Sequence, residues 1–206
     1  VMEVVRDYDL ILLEDTCDAL GSKYDGKLLG SFGNFASCSF YPAHHITMGE
    51  GGFVACSTKE EEIIVKSLRE WGRGCYCSGK AAACLKNGMC GKRFSPWIDS
   101  MPDTIFDHKF VYEEIGYNLK PMDMQAAMGL QQIKKLPEMH AKRKLHYFMQ
   151  TEIWGKYSDR LMLPTKMQEA DPSWFGFLLT VKDDSPVSKA QMISKLEDAK
   201  IQTRSY

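Results

Sequence analysis

The spacing of apolar positions changes several times along the chain, and each spacing predicts a different element. Leu10 to Leu13 form an unbroken apolar run closed by Glu14 and Asp15, which predicts a buried strand over 8–15 whose carboxyl end presents polar groups. Val1 ahead of it opens into what reads as the end of a helix. "KYDGKLLGSFG" contains an Asp-Gly pair of the kind that closes a tight hairpin. "NFASCSF" and "GGFVACS" read as two further short strands, so "SFYPAHHITMGEGG" is the connection between them. From Thr58 the period becomes helical. Ile63, Ile64, Leu68 and Trp71 recur at helical intervals, and Thr58 with Glu61 has capping-box spacing, which predicts a helix over 59–71. Residues 72–110 have no clear period and hold four of the seven cysteines; a loop that long in a compact domain is functional or disordered as a rule. Two helices, Asp123 to Leu136 and Glu138 to Trp154, are expected on either side of Pro137. "SWFGFLLTV" predicts a strand over 173–181, and Pro186 to Lys200 predicts a helix with Ser185 as its N-cap. There is no internal repeat and no low-complexity segment.

Strands first, long helices next and a closing strand-helix unit predict an α/β layer that passes into a smaller second domain near 155–165. The chain has 206 residues, of which 44 % are hydrophobic and 26 % charged, enough for one sizeable core. A net charge of -1 offers no electrostatic case for nucleic acid or an anionic membrane. No apolar run approaches a membrane span, and the first ten residues carry acids where a signal peptide would be basic and then apolar. The expected compartment is therefore the cytosol. A reducing compartment turns clustered cysteines towards metal binding or catalysis. Without an initiator Met, the chain reads as a fragment.

Three features could carry chemistry. Asp15, at the end of a strand, can hold a charge-assisted hydrogen bond to a cationic ring nitrogen, or simply cap a turn. The Ser39 hydroxyl, with nearby backbone amides, can hold a phosphate. "GEGG" at 49–52 lets backbone pass close to a ligand, or is merely a turn.

"LLEDTCDALGS", "SFYPAHHITMGEGGFVA", "LREWGRGC", "GYNLKPMDMQAAMGLQQI" and "WFGFLLTV", in this order and at these separations, resemble the sugar aminotransferase family, which uses pyridoxal phosphate on an aspartate-aminotransferase type fold. The resemblance covers nearly the whole chain. It implies a mixed, mainly parallel sheet flanked by helices (fold type I), incomplete because the family's N-terminal part and C-terminal end are missing. Residues 1–158 would be the cofactor-binding large domain, including the cysteine-rich loop 72–110, and 159–206 the start of a small C-terminal α/β domain. Loss of the N-terminal part would expose strand edges and apolar surface.

In that family a lysine stands at the position of His44 and binds the cofactor covalently. Imidazole forms no stable imine with pyridoxal phosphate, but it moves protons well near neutral pH. The exchange of lysine for histidine marks a branch of sugar 3-dehydratases that use pyridoxamine phosphate (PMP). By that resemblance His44 is the base and Asp15 the partner of the protonated ring nitrogen. Ser39 and Asn118 contact the cofactor phosphate, Asn118 from a neighbouring subunit of a homodimer. Asp18 stands where relatives often have Gln or His beside the cofactor. His45 packs or makes a hydrogen bond nearby.

The cysteines resemble those of the CDP-4-keto-6-deoxyglucose 3-dehydratase family, which carries a [2Fe-2S] cluster. Cys17, Cys75, Cys77 and Cys90 match its ligand places, with 57 residues between Cys17 and Cys75. Twelve residues separate Cys77 from Cys90, more than in that pattern, and Cys84 lies inside the extra stretch as a rival fourth ligand. Taken without the family, four cysteines would suggest zinc. Cys38 and Cys56 are expected to be buried and inert. The resemblance further implies a nucleotide-sugar substrate and an NAD(P)H-dependent iron-sulfur flavoprotein reductase as electron donor. Rival readings are a cluster-free dehydratase and a catalytically dead domain that holds structural zinc. "AKRKLHYF" (141–148) is expected to be a solvated helix face, His108 a surface or packing residue, and Tyr117 and Trp174 core or pocket walls.

Overall fold

The structure, a computed structural model, describes residues 1–75 and 90–205. Cys77 and Cys84 lie outside the described residues. In chain order the elements are α1 (Met2–Asp7), β1 (Leu13–Asp15), β2 (Lys23–Tyr24), β3 (Lys27–Leu28), β4 (Phe35–Ser39), β5 (Gly52–Cys56), α2 (Lys59–Arg69), β6 (Phe94–Ser95) and β7 (Phe106–Asp107). A 3₁₀ turn (His108–Phe110) follows, then α3 (Asp123–Gly155), β8 (Leu161–Met162), β9 (Ala170–Asp171), β10 (Thr180–Val181) and α4 (Lys189–Asp198). The chain divides into two compact units, Val1–Cys17 with Gly30–Gln132 and Asp18–Leu29 with Ile133–Tyr206.

The first unit is built on a mixed sheet of order β1-β4-β5. β1 runs parallel to β4 with Asp15 opposite Ser37, and β4 runs antiparallel to β5 with Ser39 opposite Gly52. Alternation along β4 buries Ala36 and Cys38, and Ile46 and Met48 from the following loop join them. α2 starts as its sequence predicts. The Thr58 side chain accepts from the Glu61 amide, and the Glu61 carboxylate accepts from the Thr58 amide. Glu61 also takes a hydrogen bond from the Asn34 side chain (3.1 Å), which ties the helix start to the sheet.

β1 corrects an expectation. It spans three residues rather than eight, and it is not buried: Ile11 is 72 % and Leu13 69 % exposed. Its one strand neighbour among the described residues is β4.

In the second unit Asp25 (φ 49°) and Gly26 (φ 74°) both adopt the left-handed backbone of a type I′ turn, which joins β2 to β3 as expected of Asp-Gly. β9 pairs with the other edge of β2. Pro137 does not divide the long helix. α3 continues through it for 33 residues. A proline deletes one ladder bond and crowds the preceding turn, but strong helix formers flank it and the second half of α3 is held independently. There the Arg143 guanidinium donates to the carbonyls of Trp174 and Phe175 (3.1 Å each), the Tyr147 hydroxyl donates to the Pro164 carbonyl, and Lys144 pairs with Asp171. The "AKRKLHYF" segment is thus partly a packing surface.

Those contacts also explain why 173–181 is not one strand. Trp174 takes φ 43°, its ring stacks on Tyr147 at 3.6 Å, and the carbonyls of 174 and 175 are taken by Arg143 rather than by a neighbouring strand. Only Thr180–Val181 pairs, with Met162 and Leu161. α4 starts later than expected, because Ser188 and not Ser185 forms the capping box, with Gln191.

Candidate functional site: the strand ends around Asp15 and His44

Parallel pairing of β1 with β4 brings their carboxyl ends to one edge, so Asp15, Thr16 and Cys17 leave the sheet beside Ser37, Cys38 and Ser39. Thr16, buried, fixes the exit twice, with its amide and its hydroxyl both donating to the Ser37 carbonyl (2.8 Å each). Asp15 is exposed and faces its own chain. The Cys17 amide donates to its carboxylate at 3.0 Å, and the Cys17 thiol donates as well. Those two hydrogen bonds, led by the thiol, hold the Asp15 carboxyl below the usual carboxylate range, and the charge of nearby His44 adds to the effect. Asp15 is therefore ionised at neutral pH with an imidazole in its neighbourhood.

The connection after β4 carries His44. It is a closed loop rather than a loose one. Met48 donates to the Phe40 carbonyl (3.0 Å), Phe40 to that of Gly51 (2.9 Å), and the His44 amide to that of Tyr41 (3.0 Å). The Ser39 hydroxyl, half-buried at the end of β4, accepts from the Tyr41 amide (3.1 Å), and the Tyr41 ring meets His44 edge-on at 6.2 Å. Gly51 takes φ 144° and Gly52 faces the Cys38 carbonyl where a Cβ would collide, so "GEGG" holds the loop tight against β4. His44 is half-buried beside the edge, while His45 turns inward and is 3 % exposed. The adjacent histidines thus have different environments.

The remaining expected residues are placed elsewhere. Asn118 is exposed and pairs by backbone with Glu70 at the end of α2. Asp18, exposed, opens the second unit. Tyr117 is 64 % exposed, contrary to the expected core or pocket wall. His108 is buried and packs its ring on Trp97 at 5.6 Å. Cys75 is half-buried after Gly74, and Cys90 acts electrostatically on Arg93. Among the described residues no three His, Cys, Asp or Glu side chains gather as a metal would require, so Cys17, Cys75 and Cys90 do not form such a group. Cys38 is buried and its thiol is pushed up by burial; Cys56 is half-buried with a thiol also raised by burial, so both are weak nucleophiles.

Sequence reasoning missed Glu14. Its carboxylate accepts from the amides of Gly30, Phe32 and Gly33, at 2.7 Å each, and so clamps the loop that leads into β4. The available signal was a second acid beside Asp15 followed by the Gly-Ser-Phe-Gly stretch at 30–33.

The chemistry of the edge suits a pyridoxal-type cofactor. An exposed, ionised carboxylate matches a protonated ring nitrogen, the Ser39 hydroxyl can meet a phosphate, and the imidazole can exchange a proton. A comparison of the whole chain decides the family, since residues 1–206 match throughout. The chain belongs to the DegT/DnrJ/EryC1/StrS aminotransferase family.

Among members of this family it is 44 % identical over 204 residues to the lipopolysaccharide biosynthesis protein RfbH of Salmonella typhimurium, covering 99 % of this chain and 45 % of that protein. It is 39 % identical to the dTDP-4-dehydro-2,6-dideoxy-D-glucose 3-dehydratase of Saccharopolyspora spinosa, covering 99 % of this chain and 43 % of that one. The chain thus spans about half the length of the curated relatives it matches. Among solved structures it resembles the E. coli GDP-4-keto-6-deoxy-D-mannose-3-dehydratase with bound hydrated PLP, with TM-score 0.72 and 29 % identity over 96 % of this chain and 46 % of that one. Fold type I of the DegT/DnrJ/EryC1/StrS family accounts for the α/β architecture, the mixed sheet and the expected fold class.

Proposed function

We propose that this chain is the central part of a PMP-dependent nucleotide-sugar 3-dehydratase, removing the C3 hydroxyl of a CDP-4-keto-6-deoxyhexose in the cytoplasmic synthesis of 3,6-dideoxy sugars. The observation that carries the reading is His44. The connection 40–51 of this aminotransferase-family chain contains no lysine, and presents an imidazole near an ionised Asp15 instead. Loss of the amine removes the covalent anchor that transamination needs and leaves a group suited to proton transfer. The Saccharopolyspora and E. coli relatives, both 3-dehydratases of keto sugars on nucleotides, support the same direction.

When bound, PMP supplies an amine for the 4-keto carbon and a cationic ring that withdraws electrons. The chain supplies the rest. Asp15 would keep the ring nitrogen protonated, with the Cys17 amide, at 3.0 Å, holding its own proton off. Ser39, and Asn118 of a second copy in a homodimer, hold the phosphate. His44 would move the proton that the elimination exchanges, accepting it as imidazole and returning it to the departing C3 oxygen, which would leave as water. In this reading residues 1–158 would belong to the large domain of the full-length protein and 159–206 would begin the small one, a division different from the two compact units of this chain.

The cysteine pattern supports a finer reading, in which Cys17, Cys75, Cys77 and Cys90 bind a [2Fe-2S] cluster fed by an NAD(P)H-dependent iron-sulfur flavoprotein reductase. The rival to it, a second reading, is the same elimination without a cluster. The test is the visible spectrum and metal content of the full-length protein purified without oxygen. A red-brown protein with about two irons per chain that bleaches with dithionite, and loses its colour in Cys77→Ser, supports the cluster. A colourless protein that still consumes the keto sugar with PMP supports the second reading. A protein that transaminates with glutamate while His44→Asn has no effect refutes both.

A further inference from the structure

Beyond the strand-end site, the end of α2 carries a group of side chains that the mechanism above does not use. Trp71 lies in the left-handed region at φ 63°, which a bulky residue rarely adopts without a compensating reason. The backbone around it imposes that conformation. The Trp71 amide donates to the Tyr117 carbonyl (3.0 Å), the Gly72 amide to that of Ser67 (2.8 Å), and the Ser67 hydroxyl to that of Arg73 (2.8 Å). The Gly72 carbonyl in turn accepts from Glu113 and Glu114 (2.8 and 3.1 Å). Burial does not repay the strain, since the residue stays 39 % exposed.

Two cations flank this ring. The Arg73 guanidinium lies 4.9 Å from the centre of Trp71 and 5.9 Å from that of the exposed Tyr112, and the Lys120 ammonium lies 5.5 Å from Trp71. Neither Glu70 nor Glu113 pairs with Arg73. Glu70 pairs with Arg69 (3.1 Å) and Lys120 (2.7 Å), and the Glu113 carboxylate lies against Gly74. Arg73 is half-buried, pairs with no carboxylate among the described residues, and its buried Nε has no hydrogen-bond partner. A guanidinium answered only by ring faces is an open position for an anion.

We propose that Trp71, Arg73, Tyr112 and Lys120 form the subsite for the nucleoside diphosphate of the substrate, with Arg73 and Lys120 on the phosphates and the exposed rings under the base. This rests on the sugar-nucleotide reading above. Asn118, paired with Glu70, borders the cluster. A pyridoxal phosphate also joins a phosphate to an aromatic heterocycle, so the test separates the two sources. Two cations about one ring match a diphosphate, and the solvent-facing rings suit a base that arrives from solution.

The experiment measures CDP binding to the full-length protein by tryptophan fluorescence and calorimetry at two salt concentrations, with PLP binding followed by absorbance. Arg73→Gln should weaken CDP about tenfold or more and flatten its salt dependence, as loss of a charged contact to phosphate requires. Arg73→Lys should recover only part, because the fork is lost, and PLP binding should not change. Lys120→Gln, at an exposed position, should weaken CDP in the same direction and carries the test should Arg73→Gln fail to fold. Unchanged CDP affinity in both folded variants overturns the proposal. Loss of PLP with CDP retained overturns it too, and assigns the cluster to the cofactor. No CDP binding by the unaltered protein refutes the sugar-nucleotide reading, and the subsite with it.

Discussion

Glu14 offers the sharpest test of how the strand-end edge is held. Its two carboxylate oxygens accept three amide hydrogen bonds of 2.7 Å, Oε2 from Gly30 and Oε1 from Phe32 and Gly33. A hydrogen bond to a charged group contributes about 1.5–3 kcal/mol. Three of them set an upper bound near 5–9 kcal/mol, but the site is half-buried and water can reach amides that Glu14→Ala would release. The expected loss for Glu14→Ala is therefore about 2–4 kcal/mol. Glu14→Gln should lose less, roughly 1–2 kcal/mol, because its carbonyl can still accept from Phe32 and Gly33 while its amide opposes that of Gly30. Glu14→Asp, one methylene shorter, should behave more like Ala. Urea unfolding of the full-length protein measures all three. Losses below about 0.5 kcal/mol for Glu14→Ala, the range of ordinary surface substitutions, would show that the clamp contributes nothing and would refute the reasoning.

Other expectations follow from the same geometry. Pro137→Ala restores a donor to the Ile133 carbonyl within α3 and should stabilise the protein by about 1–3 kcal/mol; a lower melting temperature would show that the proline is needed for the helix as built. Thr58→Ala removes the side-chain half of the α2 capping box and should cost about 1 kcal/mol, seen as a lower urea midpoint at constant slope. The Glu62 carboxyl, held at about 2 by Lys59 and then Lys66, lies below its unfolded value of 4.5, so its contribution is present above that value and is lost as pH falls through about 2; carboxyl chemical shifts from NMR titration check the number. His44→Asn should lower dehydration about 100-fold or more by removing the base, while the absorbance of bound PLP persists; unchanged turnover would remove His44 from the chemistry.

Where local chemistry decides structure, the sequence alone was enough. The Asp-Gly hairpin and the Thr58–Glu61 capping box depend on neighbours within a few residues, strands β4 and β5 and the loop bearing His44 on the alternation and turn residues of one short stretch, and each is found where its residues predict. So was the exchange of lysine for histidine, which needs no coordinates to read as a change in chemistry. Long-range contacts decided the rest. α3 passes through Pro137 because Arg143, Lys144 and Tyr147 hold its second half to residues 164–175, partners far away in the chain. The same Arg143 takes the carbonyls that would have continued a strand through 173–181. The apolar run at 10–13 predicted burial, yet burial is supplied by whatever packs against a strand, and the described chain supplies one strand neighbour only. Glu14 and Arg73 carry the same lesson, since an acid next to Asp15 or an arginine after Trp-Gly has no role until the fold decides which amides or rings converge on it.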